Sequence, residues 1–229
     1  MSQGTLLDRS RIGLRIKICC MASVDEATLA LEAGADALGL VSAMPSGPGV
    51  ISDDVVQEIG GWIGPRAASV LLTSRTTAES IGAQLRHFEP AVLQLTDTVA
   101  ARELIALRSN HPRMLLMPVV HVQGEGSVDE ARQLAPFADA ILLDSGNPGA
   151  AVKELGGTGR VHDWRVSRAI RDAVPVPLFL AGGLGPHNVA EAVRIVQPFG
   201  VDVCSGVRRD GMLDHELLLQ FVRAARDES

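Results

Sequence analysis

Short apolar runs alternate with longer amphipathic stretches along almost the whole chain. The apolar runs are rich in Val, Ile and Leu, as buried strands are, and they predict eight strands, at 14–20, 36–41, 66–72, 91–95, 114–120, 139–144, 177–181 and 201–205. Apolar residues at helical spacing between and after these runs predict eight helices, at 24–34, 53–63, 77–87, 98–109, 128–136, 163–173, 187–197 and 214–226. The chain therefore repeats a strand–helix unit eight times.

The boundaries of these elements carry recurring signals. Three helices are predicted to begin with a capping box, in which a Ser or Thr and a Glu three positions later satisfy free N–H groups. The three pairs are Ser23 with Glu26, Thr76 with Glu79, and Ser127 with Glu130. Three helix-to-strand junctions are also alike, each with an Asp before an apolar strand: GADAL at 34–38, FADAI at 137–141 and GVDVC at 200–204.

Eight units with near-continuous apolar strands predict a parallel sheet covered by helices. The number of units and the length of the chain fit a compact α/β fold, the (β/α)8 TIM barrel. An open doubly wound sheet is the less favoured alternative, because no GxGxxG follows the first strand. No linker-like segment interrupts the series. We therefore predict a single barrel domain at 14–229, preceded by a polar lead-in at 1–13.

Composition and charge narrow the possible functions. The net charge of −6, without a basic block, argues against a nucleic-acid or anionic-membrane partner. The longest apolar run, 114–120, contains a proline and is far shorter than the roughly 20 residues that a membrane span needs. The first 13 residues lack the apolar core of a signal peptide. Three cysteines, an odd number, do not suggest a disulfide framework. The six histidines are scattered, and no pair has metal-ligand spacing. We expect a cytoplasmic protein without metal or cofactor.

The first strand places a cysteine where the active site of such a barrel should lie. Active sites of TIM barrels lie where the C-terminal ends of the strands meet the following loops. Side chains alternate along a strand, so Lys17 and Cys19 share one face, which should point into the barrel. Ile16, Ile18 and Cys20 share the other face, and Cys20 should be a small buried apolar residue. A strand-end cysteine is more often structural than catalytic, but a neighbouring lysine favours the thiolate.

The sixth strand ends in Asp144, and the long loop after it contains GGTGR at 156–160. A carboxylate at this position could serve acid–base chemistry or cap the loop, and the pattern alone does not decide between the two. Gly156, Gly157 and Gly159 permit tight turns and a close approach of the backbone to a ligand, although such a loop can also be merely flexible.

The loops after strands seven and eight contain small residues, in LAGGLGPHNV at 180–189 and VCSGV at 203–207. In TIM barrels these two loops often bind phosphate through backbone N–H groups. Gly182 and Gly183 would let the backbone reach a phosphate, and Ser205 and Gly206 would supply donors. Ordinary turns are the alternative, and we favour the phosphate site.

Several of these motifs together resemble those of the phosphoribosylanthranilate isomerase family of tryptophan biosynthesis, in order from about residue 15 to 225. They are KIC at 17–19, GADALGLV at 34–41, VLQL at 92–95, LLD at 142–144, GGTGRVHDW at 156–164, LAGGLGPHNV at 180–189 and SGV at 205–207. The resemblance implies an aldose–ketose isomerase that acts on a phosphosugar without a cofactor, as a monomer or a homodimer.

The resemblance also implies roles for individual residues. Cys19 corresponds to the general base of the family and Asp144 to the general acid of an Amadori rearrangement. The acid protonates the ribose ring oxygen, the ring opens to an imine, and the base removes the C2′ proton, which leads to the 1-deoxyribulose phosphate. The phosphate of the substrate would lie at Gly182, Gly183, Ser205 and Gly206.

The sequence departs from the family pattern at three places. Cys20 occupies a position where the family usually has Gly. Gly49 occupies the position of an arginine that binds the anthranilate end of the substrate. Thr96 and Asp97 replace the His and Gly that the family has after strand four. Loss of the arginine removes bidentate donors, so we expect weak affinity for anthranilate, which Gly49→Arg would partly restore. Arg208 or Arg209 could instead supply the missing cation.

Three functions fit these observations. The first is a phosphoribosylanthranilate isomerase with a rearranged anthranilate pocket, which we favour. The second is a paralogue that isomerises another phosphoribosylated amine or phosphosugar. The third is a non-catalytic phosphosugar-binding or partner-interaction protein on the same fold, and the presence of both Cys19 and Asp144 counts against it.

Overall fold

Eight parallel strands form a closed barrel, in which each strand pairs with the next along the chain and the eighth pairs with the first. The structure is a computed structural model that describes residues 6–45, 47–147, 149, 153–155 and 159–228. The barrel strands are β1 Arg15–Ile18, β2 Ala37–Val41, β3 Ala68–Thr73, β4 Val92–Leu95, β5 Leu115–His121, β6 Ile141–Asp144, β7 Leu178–Leu180 and β8 Gly200–Val203. The predicted (β/α)8 TIM barrel is confirmed.

A helix follows each strand and covers the outside of the barrel. The helices are α1 Val24–Glu32, α2 Asp53–Ile63, α3 Ala78–Leu85, α4 Ala101–Asn110, α5 Gly126–Leu134, α6 Trp164–Ala173, α7 Val189–Val196 and α8 His215–Arg226. Two short 3-10 turns, Ala135–Phe137 and Ser205–Val207, and a small hairpin of β9 Arg208–Arg209 with β10 Met212–Leu213 were not predicted. No helix of the described residues is long and apolar enough to cross a membrane.

The serine half of one of the three predicted capping boxes is confirmed, while its Glu accepts from the residue before the cap. The Ser23 hydroxyl accepts a hydrogen bond from the Glu26 N–H at 3.2 Å, and the Glu26 carboxylate accepts one from the Ala22 N–H at 3.0 Å. The other two predictions are wrong. Thr77, one residue after the predicted Thr, caps α3. Ser127 lies inside α5, and its hydroxyl accepts from the N–H of Gln123 instead.

The Asp residues of the three similar junctions have two different roles. Asp36 accepts a hydrogen bond from the N–H of Ile16 at 2.9 Å, and Asp139 accepts one from Leu116 at 2.7 Å, so each ties its junction to a neighbouring strand. The third, Asp202, lies inside β8 because that strand already begins at Gly200. Its side chain can therefore point into the barrel rather than close a turn.

The apolar core has two layers. The larger layer lies between strands and helices and includes Ile16 and Ile18. The smaller layer fills the barrel itself, and it includes Val70, Leu72, Met117, Leu142 and Phe179. At the N-terminal end of the barrel the buried Arg15 lies over the ring of Phe199 at 5.1 Å and donates to the carbonyl oxygens of Asp8 and Arg11.

Candidate active site

A pocket at the C-terminal ends of the strands brings together most of the predicted site residues. Six of them line it: Cys19, Asp144, Gly159, Gly182, Gly183 and Ser205. Gly156 and Gly157 lie outside the described residues. A larger groove of about 810 Å³ lies at the opposite end of the barrel, and none of the predicted residues lines it.

Cys19 follows directly on β1 and turns its sulfur into the barrel, as the alternation along the strand predicts. The backbone keeps to the sheet here, because the Cys19 N–H donates to the Val203 carbonyl at 2.8 Å. The side chain packs so closely on β2 that a Cβ on Gly39 would lie 2.8 Å from its sulfur. Burial raises the pKa of the Cys19 thiol to about 11, and the Lys17 ammonium opposes this shift.

A buried ion pair lies beneath the thiol. Lys17 and Asp202 are direct neighbours in the register of β1 and β8, and the Lys17 Nζ lies 2.9 Å from Asp202 Oδ1. Burial lowers the pKa of Lys17, but Asp202 and the Cys19 thiol more than offset this and raise the pKa above its usual value. Burial raises the pKa of Asp202, and Lys17 opposes that rise. The lysine therefore supplies a fixed positive charge next to the sulfur.

Asp144 is the last residue of β6 and is 9% exposed. Burial raises the pKa of its carboxyl group, and a hydrogen bond from the Ser145 N–H at 2.7 Å and the nearby His121 oppose the rise. A carboxyl group with a raised pKa keeps its proton to higher pH, which is the property a general acid needs.

The loops after β6, β7 and β8 meet beside Asp144, and glycines make this close approach possible. Gly182 and Gly183 have positive φ angles of 83° and 64°. A Cβ on Gly183 would lie 2.6 Å from the carbonyl carbon of Arg160, and one on Gly206 would lie 2.0 Å from the oxygen of Leu184. Gly206 thus packs against the β7 loop, while Ser205 reaches the pocket.

Cys20 is buried, as predicted, at 4% exposure, but its predicted orientation is wrong. We expected it on the helix-facing side of β1, but the strand ends at Ile18 and Cys20 has a φ of 67°, which turns its side chain toward the mouth of the pocket. There it forms a disulfide with Cys204, so the expectation that the cysteines form no disulfide is also wrong. A positive φ favours glycine, which explains physically why the family usually has glycine here.

Gly49 lies against the same cysteine. Its φ is 74°, and a Cβ on this residue would lie 2.4 Å from the Cβ of Cys20. The backbone position that would carry the family arginine is therefore closed to any side chain. That Gly49→Arg restores affinity stays a prediction, and it requires the loop to leave the conformation seen here.

The two arginines after β8 are engaged elsewhere. Arg208 donates to both carboxylate oxygens of Glu26, each at 2.8 Å, and to the carbonyl oxygen of Cys20. Arg209 Nε lies 3.3 Å from the carboxylate of Asp214. Neither arginine lines the pocket, so neither supplies the missing cation in this structure.

The departure after β4 is also accounted for. The Thr96 hydroxyl is buried and donates to the Thr73 carbonyl at 3.0 Å. Asp97 forms an ion pair with Lys153 at 2.5 Å, which joins the β4 loop to the β6 loop.

Sequence reasoning missed two polar residues that line the pocket, Gln94 and Asp202. Gln94 lies in the middle of the apolar run VLQL, and a polar residue in such a run was the available signal. Its Oε1 is buried and has no hydrogen-bond partner among the described residues. An unpaired buried acceptor is costly, so it calls for a ligand or a water.

Fold and pocket together define a class of protein: a TIM barrel with a buried thiol, a buried carboxyl group and glycine-rich loops at one mouth. Residues 16–224 match the family described as N-(5′-phosphoribosyl)anthranilate (PRA) isomerase. The chain belongs to this family.

Individual relatives agree with the family match. The chain is 35% identical over 213 residues to N-(5′-phosphoribosyl)anthranilate isomerase of Methanocella arvoryzae, covering 93% of this chain and 98% of that protein. It is 38% identical over 214 residues to the Haloferax volcanii protein of the same name, covering 93% of each chain. The crystal structure of phosphoribosyl anthranilate isomerase from Thermotoga maritima superimposes with a TM-score of 0.79 at 30% identity, covering 93% of this chain and 98% of that one.

Proposed function

We propose that this protein is a phosphoribosylanthranilate isomerase of tryptophan biosynthesis. It converts N-(5-phosphoribosyl)anthranilate into the corresponding 1-deoxyribulose 5-phosphate by an Amadori rearrangement. The observation that carries the proposal is that a thiol and a carboxyl group from different strands, Cys19 and Asp144, line one pocket with Gly182, Gly183 and Ser205. Acid–base catalysis on a sugar needs two groups on different sides of the ring, and separate strand ends provide them.

Asp144 acts first, as the general acid. Its raised pKa keeps a proton available, and transfer of that proton to the ribose ring oxygen opens the ring to an imine. The N–H of Ser145 then stabilises the carboxylate that remains, because it already donates to Asp144 Oδ1.

Cys19 acts second, as the general base that removes the C2′ proton. A thiol with a pKa of about 11 is protonated at neutral pH, so the thiolate is a minor species but a strong base. The ammonium of Lys17 supports the thiolate through its charge. The enolamine that results tautomerises to the ketose.

The phosphate of the substrate lies over the loops after β7 and β8. Gly182 and Gly183 leave the backbone there uncovered by side chains, and backbone N–H groups bind phosphate well. A related structure supports the class of substrate, since a phosphoribosyl anthranilate isomerase has been crystallised with reduced 1-(o-carboxyphenylamino)-1-deoxyribulose 5-phosphate. That structure superimposes on this chain with a TM-score of 0.77 at 28% identity.

The chemistry above uses only side chains, so no cofactor takes part. The protein acts as a monomer or a homodimer, and a dimeric relative from Thermotoga maritima, of which monomers have been crystallised, supports both states. A phosphorylated sugar does not cross membranes freely, which supports a cytoplasmic location, whereas the Cys20–Cys204 disulfide is a bond that a reducing cytoplasm disfavours.

A direct assay tests the proposal. Phosphoribosylanthranilate is incubated with the purified protein, and the ketose product is separated by chromatography from anthranilate, the product of spontaneous hydrolysis. We expect enzyme-dependent formation of the ketose. Formation of anthranilate alone, at the rate seen without enzyme, would contradict the proposed function.

A further inference from the structure

We propose that the pocket holds the amine of its substrate through the N–H group, at Gln94, and leaves the carboxylate of anthranilate without a charged partner. Gln94 would thus be a binding residue that touches the reacting end of the substrate. The inference rests on the proposed function and deepens it, because it defines which amines the enzyme accepts.

The position of the amine follows from the chemistry of the substrate. The sugar carries its phosphate at C5′ and its amine at C1′, at opposite ends. If the phosphate lies over β7 and β8, and Cys19 and Asp144 flank the ring from β1 and β6, the amine extends over β2, β3 and β4. In a closed barrel these three strands form the wall opposite the phosphate loops.

That wall is apolar apart from one side chain. Val41, Met44, Pro48 and Leu72 line it, and Gln94 is its polar member. The Gln94 residue is 4% exposed, and its unpartnered Oε1 is an acceptor. The nitrogen that joins the ring to the sugar carries an N–H, and it gains positive charge when the sugar opens to the imine. An amide oxygen is suited to accept a hydrogen bond from this group.

A carboxylate finds no basic side chain on this wall. Among the described residues that line the pocket there is no Lys, Arg or His. The residues that the structure does not describe are 1–5, 46, 148, 150–152, 156–158 and 229, and by sequence none of them is Lys, Arg or His.

Five Lys and Arg side chains at this end of the barrel have partners of their own, and one of them is Arg208, which pairs with Glu26. Lys17 pairs with Asp202, Lys153 pairs with Asp97, and Arg160 pairs with Glu154. Arg75 donates to the carbonyl oxygen of Ser80 at 3.1 Å. A carboxylate on the amine would have to draw one of them away from its present contacts, and the exposed Lys153 is the strongest competitor to our inference.

The experiment compares two substrates on the wild-type enzyme. One is phosphoribosylanthranilate, and the other is the phosphoribosyl derivative of aniline, which lacks only the carboxylate. Each kcat/KM is divided by the acid-catalysed rate of the same compound without enzyme, to remove the difference in intrinsic reactivity. We expect the two normalised values to agree within about threefold, whereas a charge-assisted pair would favour anthranilate by about 10- to 150-fold.

Variants separate the two parts of the inference. Gln94→Leu should lower kcat/KM by about 10- to 150-fold for both substrates alike, as expected for the loss of a hydrogen bond to a developing charge. The same substitution at the exposed Gln133 of α5 is the matched control and should change neither value. Lys153→Ala should leave the ratio between the two substrates unchanged. Thermal unfolding of each variant verifies that it is folded.

Each of the other outcomes overturns a definite statement. A preference of more than about threefold for anthranilate in the wild type would overturn the unpaired carboxylate, and loss of that preference in Lys153→Ala would identify Lys153 as its partner. A Gln94→Leu defect confined to anthranilate would mean that the amide contacts the carboxylate rather than the N–H. If neither compound is isomerised, the proposed function itself fails. If anthranilate is isomerised but preferred, only the present inference fails.

Discussion

Any side chain at Gly49 would place its Cβ 2.4 Å from the Cβ of Cys20. Both residues have positive φ angles, 74° for Gly49 and 67° for Cys20. The cysteine thus occupies the space that a residue on the β2 loop would need. The two departures from the family pattern at positions 20 and 49 are therefore linked by packing. With the Cys20 side chain in place, position 49 has room only for glycine.

This packing predicts a position-specific effect of alanine. Gly49→Ala should lower the free energy of unfolding by about 1–3 kcal/mol, because the added methyl group overlaps Cys20 and because alanine resists a positive φ. Gly82→Ala is the matched control, since Gly82 lies in α3 with no atom within 4 Å of its added Cβ. That change should stabilise the protein by about 0.5–1 kcal/mol. Equal effects in urea unfolding would contradict the packing argument.

The disulfide predicts a stability that depends on reductant. Cys20 and Cys204 are 184 residues apart, and a bond across such a long loop is worth about 2–5 kcal/mol. We expect Cys204→Ser to lower the free energy of unfolding by this amount. Dithiothreitol should lower the free energy of unfolding of the wild type to the value of the variant. The variant itself should not respond to dithiothreitol. A wild-type melting temperature that is unchanged by reductant would show that the two thiols are not bonded.

The ion pair of Lys17 and Asp202 predicts that replacing one partner destabilises the protein and that replacing the second partner as well restores most of the stability. Lys17→Met leaves the Asp202 carboxylate buried without a partner and should destabilise the protein by about 3–5 kcal/mol. The double variant Lys17→Met, Asp202→Leu should regain most of this loss, since neither charge remains. Urea unfolding of the wild type, both single variants and the double variant measures the coupling. Additive losses would contradict a direct interaction.

The burial of the Cys19 thiol predicts that it ionises at a higher pH than an ordinary thiol. Cys19 is the free cysteine of the three in the chain, all of which the structure describes, so alkylation by iodoacetamide reports on it alone. The alkylation rate should rise with pH to a midpoint near 11, because burial holds the thiol in its protonated form. Lys17→Met should move the midpoint higher, since Lys17 lowers this pKa. A midpoint at or below the ordinary value of 9.0 would contradict the buried environment.

The same shifts predict the shape of the pH profile of kcat/KM. The productive enzyme has Asp144 protonated and Cys19 ionised. As the pH is lowered below the pKa of Asp144, kcat/KM decreases, because a smaller fraction of Cys19 is ionised while Asp144 is already protonated. As the pH is raised above the pKa of Cys19, about 11, kcat/KM decreases, because Asp144 loses its proton while Cys19 is already fully ionised. Between the two values the profile should be flat, and a decline starting near pH 8 would contradict the assignment.

The barrel and the orientation of Cys19 could be predicted because they depend on local patterns. Apolar runs mark the strands, and alternation places Lys17 and Cys19 inside for as long as the strand continues. Cys20 lies beyond the end of β1, where a positive φ replaces the alternation. Its partner Cys204 is 184 residues away, and no local pattern indicates that contact.

Two pocket residues escaped prediction for a related reason. Asp202 resembles the turn-forming Asp36 and Asp139 in sequence, but β8 begins two residues before it, so its side chain points inward to Lys17. Gln94 lies within an apolar run, and its exposure to the pocket becomes visible only when the barrel is closed. Strand boundaries and the closure of the sheet decide both cases, and neither is fixed by composition or spacing.

If the proposed function is right, Cys19 and Asp144 perform the acid–base chemistry of one rearrangement. Steady-state kinetics on phosphoribosylanthranilate tests it most directly, with the wild type, Cys19→Ala, Asp144→Asn and, as the matched control, Asp129→Asn on the exposed face of α5. Cys19→Ala and Asp144→Asn should each lower kcat by about 10²-fold or more, the scale for loss of a general base or acid, while product affinity changes little. Wild-type turnover by a folded Cys19→Ala or Asp144→Asn protein would contradict the account.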